Sequence, residues 1–340
     1  MKRVAFYGML WCLAISGLQT AARARTIIRM GTLAPRGSAW HKILKRMGAE
    51  WRSATGGEVI LRIFPGGSVG DEGDMIRKMR IGQLQAAAVS NAGLADIEPG
   101  TYALMIPLMF DSYEEWNYVR NAFNRELEKR LSEKGFVVLT WSDVGSVYFF
   151  SQEPLQRPDQ LRQMKLAASA GQSAEVEIMK WAGFNPVPIS TVDTLAGLQT
   201  GLINALYMPA ILAEGSQVYR YARNMTDLKW VFLQGALIVR ARSWQRLPAQ
   251  QRRSLKRITA QVGESLRKTA QKDERASLEA MKRRGLTVWS VDQVAFREWQ
   301  QTVDGTLDKI RQGLVPSEML DEVQRLRAQY RTERGNGAGR

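Results

Sequence analysis

The chain has 340 residues, 45% hydrophobic and 24% charged, with a formal net charge of +15. This is ordinary globular material, neither disordered nor polytopic, and long enough for one large or two medium domains. Its single cysteine, Cys12, excludes a disulfide framework.

At the N-terminus, Lys2 and Arg3 precede an apolar run over residues 4–18, and Ala22-Arg23-Ala24 supplies a small-x-small site. The run is too short to span a bilayer comfortably, which points to a signal peptide over residues 1–24, cut after Ala24, and to an exported, periplasmic protein. An uncleaved anchor is the alternative. The bulky Trp11 before Cys12 argues against a lipoprotein, and removal of the signal leaves neither a thiolate nucleophile nor a cysteine metal site.

A buried strand is predicted over 26–33, then a helix capped by Ser38 whose Trp40, Ile43, Leu44, Met47 and Trp51 recur at helical spacing. Val59, Leu61 and Ile63 alternate as a second strand, and a helix over 72–81 leads to a third strand at 84–89. An apolar segment over 102–109 and a long helix over 112–134 follow. Residues 136–141 and 144–150 read as two consecutive strands. Strands at 164–168, 186–189 and 203–207, joined by helices at 173–182 and 192–201, make two strand-helix-strand units and imply a parallel sheet with right-handed crossovers. Ligands on such sheets sit at the carboxyl ends of the strands. A helix near 213–221, a returning strand at 235–240 and a very long helix from Pro248 to Arg284 come next. A strand at 287–290, helices at 295–312 and 316–331 and a disordered tail over 332–340 complete the reading.

Much of the positive charge lies between Arg240 and Arg284, in runs such as Arg252-Arg253 and Lys282-Arg283-Arg284. The export signal and the absence of a recognition motif set nucleic acid aside as a partner. A solvated helix face is the plain reading, and contact with an anionic membrane surface is the alternative. Gly66-Gly67-Ser68-Val69-Gly70 formally satisfies G-x-S-x-G, but the only histidine, His41, precedes it, against the chain order of a hydrolase of that fold. Asp71, Glu72 and Asp74 lack the later bidentate glutamate of a calcium loop and instead favour a helix N-terminus. No catalytic residue, metal site or cofactor is assigned. Two α/β halves, more than one crossing between them and a spanning helix describe a two-lobed clamp that captures solute by hinge closure.

Three motifs resemble the solute-binding proteins of tripartite ATP-independent periplasmic (TRAP) transporters over nearly the whole mature chain. The family's F-P-x-x-x-L-G-x-E turn is matched by Phe64-Pro65-Gly66-Gly67-Ser68-Val69-Gly70-Asp71-Glu72, and its P-x-x-F segment by Pro107-Leu108-Met109-Phe110. Its proline strand and L-Q-T-G helix end are matched by Pro186-Val187-Pro188-Ile189 and Leu198-Gln199-Thr200-Gly201. The resemblance implies an α/β, two-lobed periplasmic binding protein fold with a long lobe-spanning helix. We expect residues 25–144 plus 233–272 to form lobe I and 145–232 plus 273–331 to form lobe II. It also implies partners: a small-molecule solute, the membrane permease subunits of the transporter and an accessory periplasmic protein.

The departures concern the substrate. Where the family carries a K-x-R arginine that clamps a carboxylate, this chain has Lys165-Leu166-Ala167, and where a second arginine follows a G-x pair it has Val147. Met208 replaces a further polar position. A carboxylate buried there without its guanidinium would cost several kcal/mol, on the order of the penalty for an unpaired buried charge. A hydrophobic or amphipathic solute meets no such penalty. By matched position the ligand is expected to meet Leu33, Ser90, Asn91, Val147, Ala167, Ser169, Thr191, Tyr207, Met208 and Trp230, with Trp40, Phe64, Trp141 and Tyr148 as nearby aromatics. Two alternatives stand beside this reading: a receptor for a small organic acid, with Lys165 or another cation replacing the arginine, and a non-transporting interaction protein of the same fold.

Overall fold

Residues 25–170 and 173–337 are described by the computed structural model, so the signal-peptide reading and Cys12 lie outside the described residues. The first half contains β1 (Thr26–Thr32), α1 (Ala39–Ala54), β2 (Val59–Phe64), α2 (Glu72–Arg80), β3 (Ala86–Ser90) and α3 (Asn91–Ala95). A 3-10 helix (Pro99–Met105), α4 (Tyr113–Glu133) and the long strand β4 (Phe136–Ser151) follow. The second half contains α5 (Pro158–Arg162), β5 (Lys165–Ser169), α6 (Ser173–Trp181), β6 (Asn185–Ile189), α7 (Thr194–Thr200), β7 (Ala205–Pro209), α8 (Ala210–Ser216), β8 (Asn224–Asp227) and β9 (Val231–Arg240). Last come α9 (Ala241–Gln245), α10 (Ala249–Arg283), β10 (Thr287–Ser290), α11 (Gln293–Gly313) and α12 (Ser317–Gly337).

Strand order explains the two lobes. The sheet runs β2-β1-β3-β9-β4-β7-β5-β6, with β8 and β10 branching from β4. β1 pairs in parallel with β2 and β3, and β5 pairs in parallel with β6 and β7. Each set comes from strand-helix-strand units, as their periodicity predicts. Between the sets lie β9 and β4, antiparallel to each other and to their outer neighbours β3 and β7. These two long strands are the crossings. β4 is one strand rather than the two expected, because register shifts at Val138/Thr140 and Asp143/Gly145 absorb the irregularity without ending the ladder. Gly145 takes φ 111° at the second shift, where a side chain would be strained.

The helix α10 lies along β4 and joins the halves. Its Gly263 allows the close approach: a Cβ there would stand 2.0 Å from Thr140 Oγ1 and 2.6 Å from the Trp141 carbonyl oxygen. Gly263→Ala is therefore expected to cost about 1–3 kcal/mol, read as a lowered urea midpoint, since the carbonyl cannot rotate away as a side chain would. Farther along, Glu274 accepts the Ser146 N–H at 2.6 Å and the Tyr148 hydroxyl at 2.8 Å, fastening the helix to β4 just beyond the bulge. Arg253, Lys256, Arg257, Lys272, Arg275, Lys282 and Arg283 are exposed, so the basic run occupies the outer face of the helix.

The C-terminal expectation needs correction. A disordered tail over 332–340 was expected, yet α12 continues to Gly337. The Tyr118 and Tyr330 rings pack in a tilted pair with centroids 5.3 Å apart, Arg331 pairs with Glu115, and the Tyr118 hydroxyl donates to Glu333 at 3.2 Å, so α4 supports the helix past the point where its apolar pattern ends. Among the described residues, no helix is long and apolar enough to cross a membrane.

Candidate ligand-binding cavity

The carboxyl ends of β1, β3, β5, β6 and β7 converge on a cavity of about 260 Å³ between the two parallel sets. Its size is a little below the ~300–1,000 Å³ usual for small-molecule sites. Leu33, Ser90, Val147, Ala167, Ser169, Thr191, Tyr207, Met208, Trp230 and Trp40 all line it. Met105, Ile106, Ile178, Met179, Ile211 and Leu212 extend the apolar wall. Trp230 is shared with the core: its ring packs 5.1 Å from Phe149 and 5.6 Å from Trp299.

Four expected residues do not line the cavity. Asn91 follows Ser90, which does, but it begins α3 and its side chain is fully buried away from the space, without a hydrogen-bond partner. Trp141 and Tyr148 are each held by a helix instead: the Trp141 indole N–H donates to Glu128 of α4 at 2.7 Å, and the Tyr148 hydroxyl donates to Glu274 of α10 at 2.8 Å. Phe64 lies at the end of β2, one strand too far out, under the Arg62 guanidinium at 5.4 Å.

Lys165 cannot stand in for the missing arginine in this arrangement. It shares a face with Ala167 by alternation, but it is the first residue of β5, at the end away from the cavity. The side chain is exposed and its Nζ donates to the Gly201 carbonyl at 3.0 Å. His41 is likewise engaged locally: Nδ1 accepts the Gly37 N–H at 2.9 Å and closes the turn before α1.

The polar character of the cavity comes instead from three carboxylates that the sequence reading did not place there: Asp71, Glu72 and Glu175. Glu72 accepts from the Ser90 N–H at 2.8 Å, the Ser90 hydroxyl at 2.6 Å and the Gly93 N–H at 3.0 Å. Burial pushes its carboxyl pKa up, and those three donors only partly oppose the shift. Asp71, the N-cap of α2, accepts the Thr191 N–H. Glu175, in the first turn of α6, accepts the Ser169 N–H at 3.2 Å and the Tyr207 hydroxyl. Its carboxyl is also raised, chiefly by desolvation. Among the described lining residues there is no Lys, Arg or His. The three acids do not form a metal-holding group, and no other group of described residues does.

Two α/β sets around an inter-lobe cavity, crossed by two strands and bridged by a long helix, define a two-lobed solute receptor. Residues 30–312 match the model of the bacterial extracellular solute-binding protein family 7, and the chain belongs to that family. It is 21% identical to the sialic acid-binding periplasmic protein SiaP of Vibrio cholerae over 85% of this chain and 91% of that protein. It is 22% identical to the 2,3-diketo-L-gulonate-binding periplasmic protein YiaO of Escherichia coli over 92% of this chain and 98% of that one. In fold it is similar to the sugar acid binding protein DctPAm of Advenella mimigardefordensis, solved with galactonate, at a TM-score of 0.83 and 16% identity, covering 90% and 99% of the two chains. The TRAP resemblance read from the three motifs is thereby established, and with it a role in solute binding for transport.

Proposed function

We propose that the protein is the periplasmic receptor of a TRAP-type transporter for a hydrophobic or amphipathic small molecule, captured by hinge closure and delivered to the membrane permease. The observation that carries this reading is the lining of the cavity, which is mostly apolar and holds no cationic side chain among the described residues. Sialic acid, diketogulonate and galactonate, which the similar proteins bind, each carry a carboxylate. A carboxylate here would be buried without a partner and close to three protein acids, whereas an apolar body gains about 25 cal/mol for each Å² removed from water. Lobe I would comprise residues 25–144 plus 233–272 and lobe II residues 145–232 plus 273–331, with the exposed basic face of α10 available to an anionic membrane surface.

Native mass spectrometry of the protein purified from its own periplasm, followed by denaturing extraction, tests the reading. A retained lipid-like or aromatic molecule is the expected result. A co-purifying sugar acid or dicarboxylate would overturn it.

A further inference from the structure

The cavity has a polar corner as well as an apolar body. Tyr102 lines it and is 7% exposed, yet its hydroxyl makes no hydrogen bond among the described residues. The other two buried tyrosines among the described residues both have polar partners: the Tyr148 hydroxyl donates to Glu274 at 2.8 Å and the Tyr219 hydroxyl accepts from Arg284 at 3.4 Å. Burial pushes the Tyr102 phenol's pKa well up, and the negative charges of Glu175, Asp96 and Glu72 add to the shift, so the field around its hydroxyl is negative. Both hydrogen bonds to Glu175 among the described residues fall on Oε1, which leaves its second oxygen with acceptor capacity.

We propose that this corner, formed by Glu175, Tyr102 and Glu72, takes the protonated amine of a cationic amphiphile, whose apolar body fills the rest of the cavity. The inference rests on the apolar-ligand reading above and names the head group that goes with it. An ammonium has donors only. It can donate to the Glu175 carboxylate and to the lone pairs of the Tyr102 oxygen, and it supplies the positive charge that the cavity wall lacks. A carboxylate in the same place would accept one bond from Tyr102 and face Asp71, Glu72 and Glu175 as like charges. A neutral hydroxyl would hydrogen-bond without relieving the unbalanced charge. The corner therefore ranks head groups by charge, with the amine first and the acid last.

The test uses the mature protein and three probes of one chain length: octylammonium, octan-1-ol and octanoate, titrated by calorimetry at neutral pH. The expected result is that octylammonium binds about tenfold or more tighter than octanol, as one desolvated charge pair of moderate strength implies, and octanoate weakest. In Glu175→Gln the amine-to-alcohol ratio should fall several-fold toward one. Lowering the pH should narrow the same ratio in the unsubstituted protein. The titratable groups that share the cavity with the Glu175 carboxyl are Asp71, Glu72, Tyr102 and Tyr207, with no cation among the described lining residues; burial raises its pKa, so it loses charge at a higher pH than an ordinary glutamate. Equal binding of amine and alcohol, or tighter binding of octanoate, would overturn the amine assignment while leaving the apolar receptor intact. Failure of all three probes to bind would overturn the apolar reading and this inference with it. The wild-type series alone decides the ranking, so it stands even if the substituted protein folds poorly.

Discussion

Arg120→Met is expected to destabilise the protein by about 3–5 kcal/mol, the usual cost of removing one partner from a buried ion pair. Arg120 is 1% exposed and Asp143 is fully buried, and Nη1 of the first lies 2.6 Å from Oδ1 of the second. The rest of the guanidinium is also committed: Nε and Nη2 donate to Asn117 at 3.0 and 2.6 Å, and the plane lies over the Trp116 ring at 4.6 Å. The Tyr113 hydroxyl donates to the other Asp143 oxygen. Removing the arginine leaves a carboxylate in an apolar layer with one neutral donor. Removing both charges in Arg120→Met/Asp143→Leu leaves no orphan, and most of the loss should be recovered. The single variant should also lose its deficit as the pH falls, because an unpaired buried carboxyl readily becomes neutral. Urea unfolding of the three variants at two pH values checks this, and a double variant as unstable as the single one would refute it. Asp143 sits at the bulge before Gly145, so the pair also fixes where β4 is pinned to α4 and where it is free to bend.

That pair illustrates what the sequence can and cannot carry. The parallel sets were legible because Val59, Leu61 and Ile63, or the proline strand around Val187, alternate or run apolar between clear turn signals. β4 was read as two strands because Ser142-Asp143 looks like a polar break. Only the tertiary partner Arg120, on a helix more than twenty residues earlier, makes a buried aspartate tolerable there. β8, Asn224–Asp227, is not legible because a four-residue strand of mixed polarity has no period to detect. At the site, the matched positions at the strand ends fall on the cavity, whereas Trp141 and Tyr148 are turned toward Glu128 of α4 and Glu274 of α10, partners that no local pattern announces. The acids were missed for a different reason. Asp71, Glu72 and Glu175 are all in or next to the first turn of a helix, where a carboxylate is unremarkable. The usable signal was position: each of those helices begins beside the carboxyl end of a sheet strand, and a side chain in its first turn can reach the cleft.

Asp71→Ser is expected to weaken ligand binding by about 10- to 100-fold, through faster dissociation, while leaving thermal stability nearly unchanged. Asp71 caps α2 in the first half of the chain, and its oxygens lie 3.1 and 3.3 Å from the Thr191 nitrogen, whose N–H they accept across the cleft. It is a direct link between elements 120 residues apart, and the surfaces beside it are close. A Cβ on Gly67 would stand 2.9 Å from Val192, and one on Gly215 would stand 3.1 Å from Pro35. A hydrogen bond to a charged group is worth about 1.5–3 kcal/mol, and here it exists only while the two sides are together. The bond thus contributes to closure, and closure traps the ligand, so its loss appears in the off-rate rather than in the encounter rate. Serine separates this role from the helix cap. It is as good an N-cap as aspartate, but its shorter side chain lacks the second oxygen and the charge that hold Thr191. Stopped-flow dissociation, small-angle scattering of the liganded protein and a melting curve together decide the matter. Faster release with a more open liganded particle and an unchanged midpoint is the expected set. Unchanged release would show that the apolar contacts around Gly67 and Pro35 hold the cleft closed without Asp71.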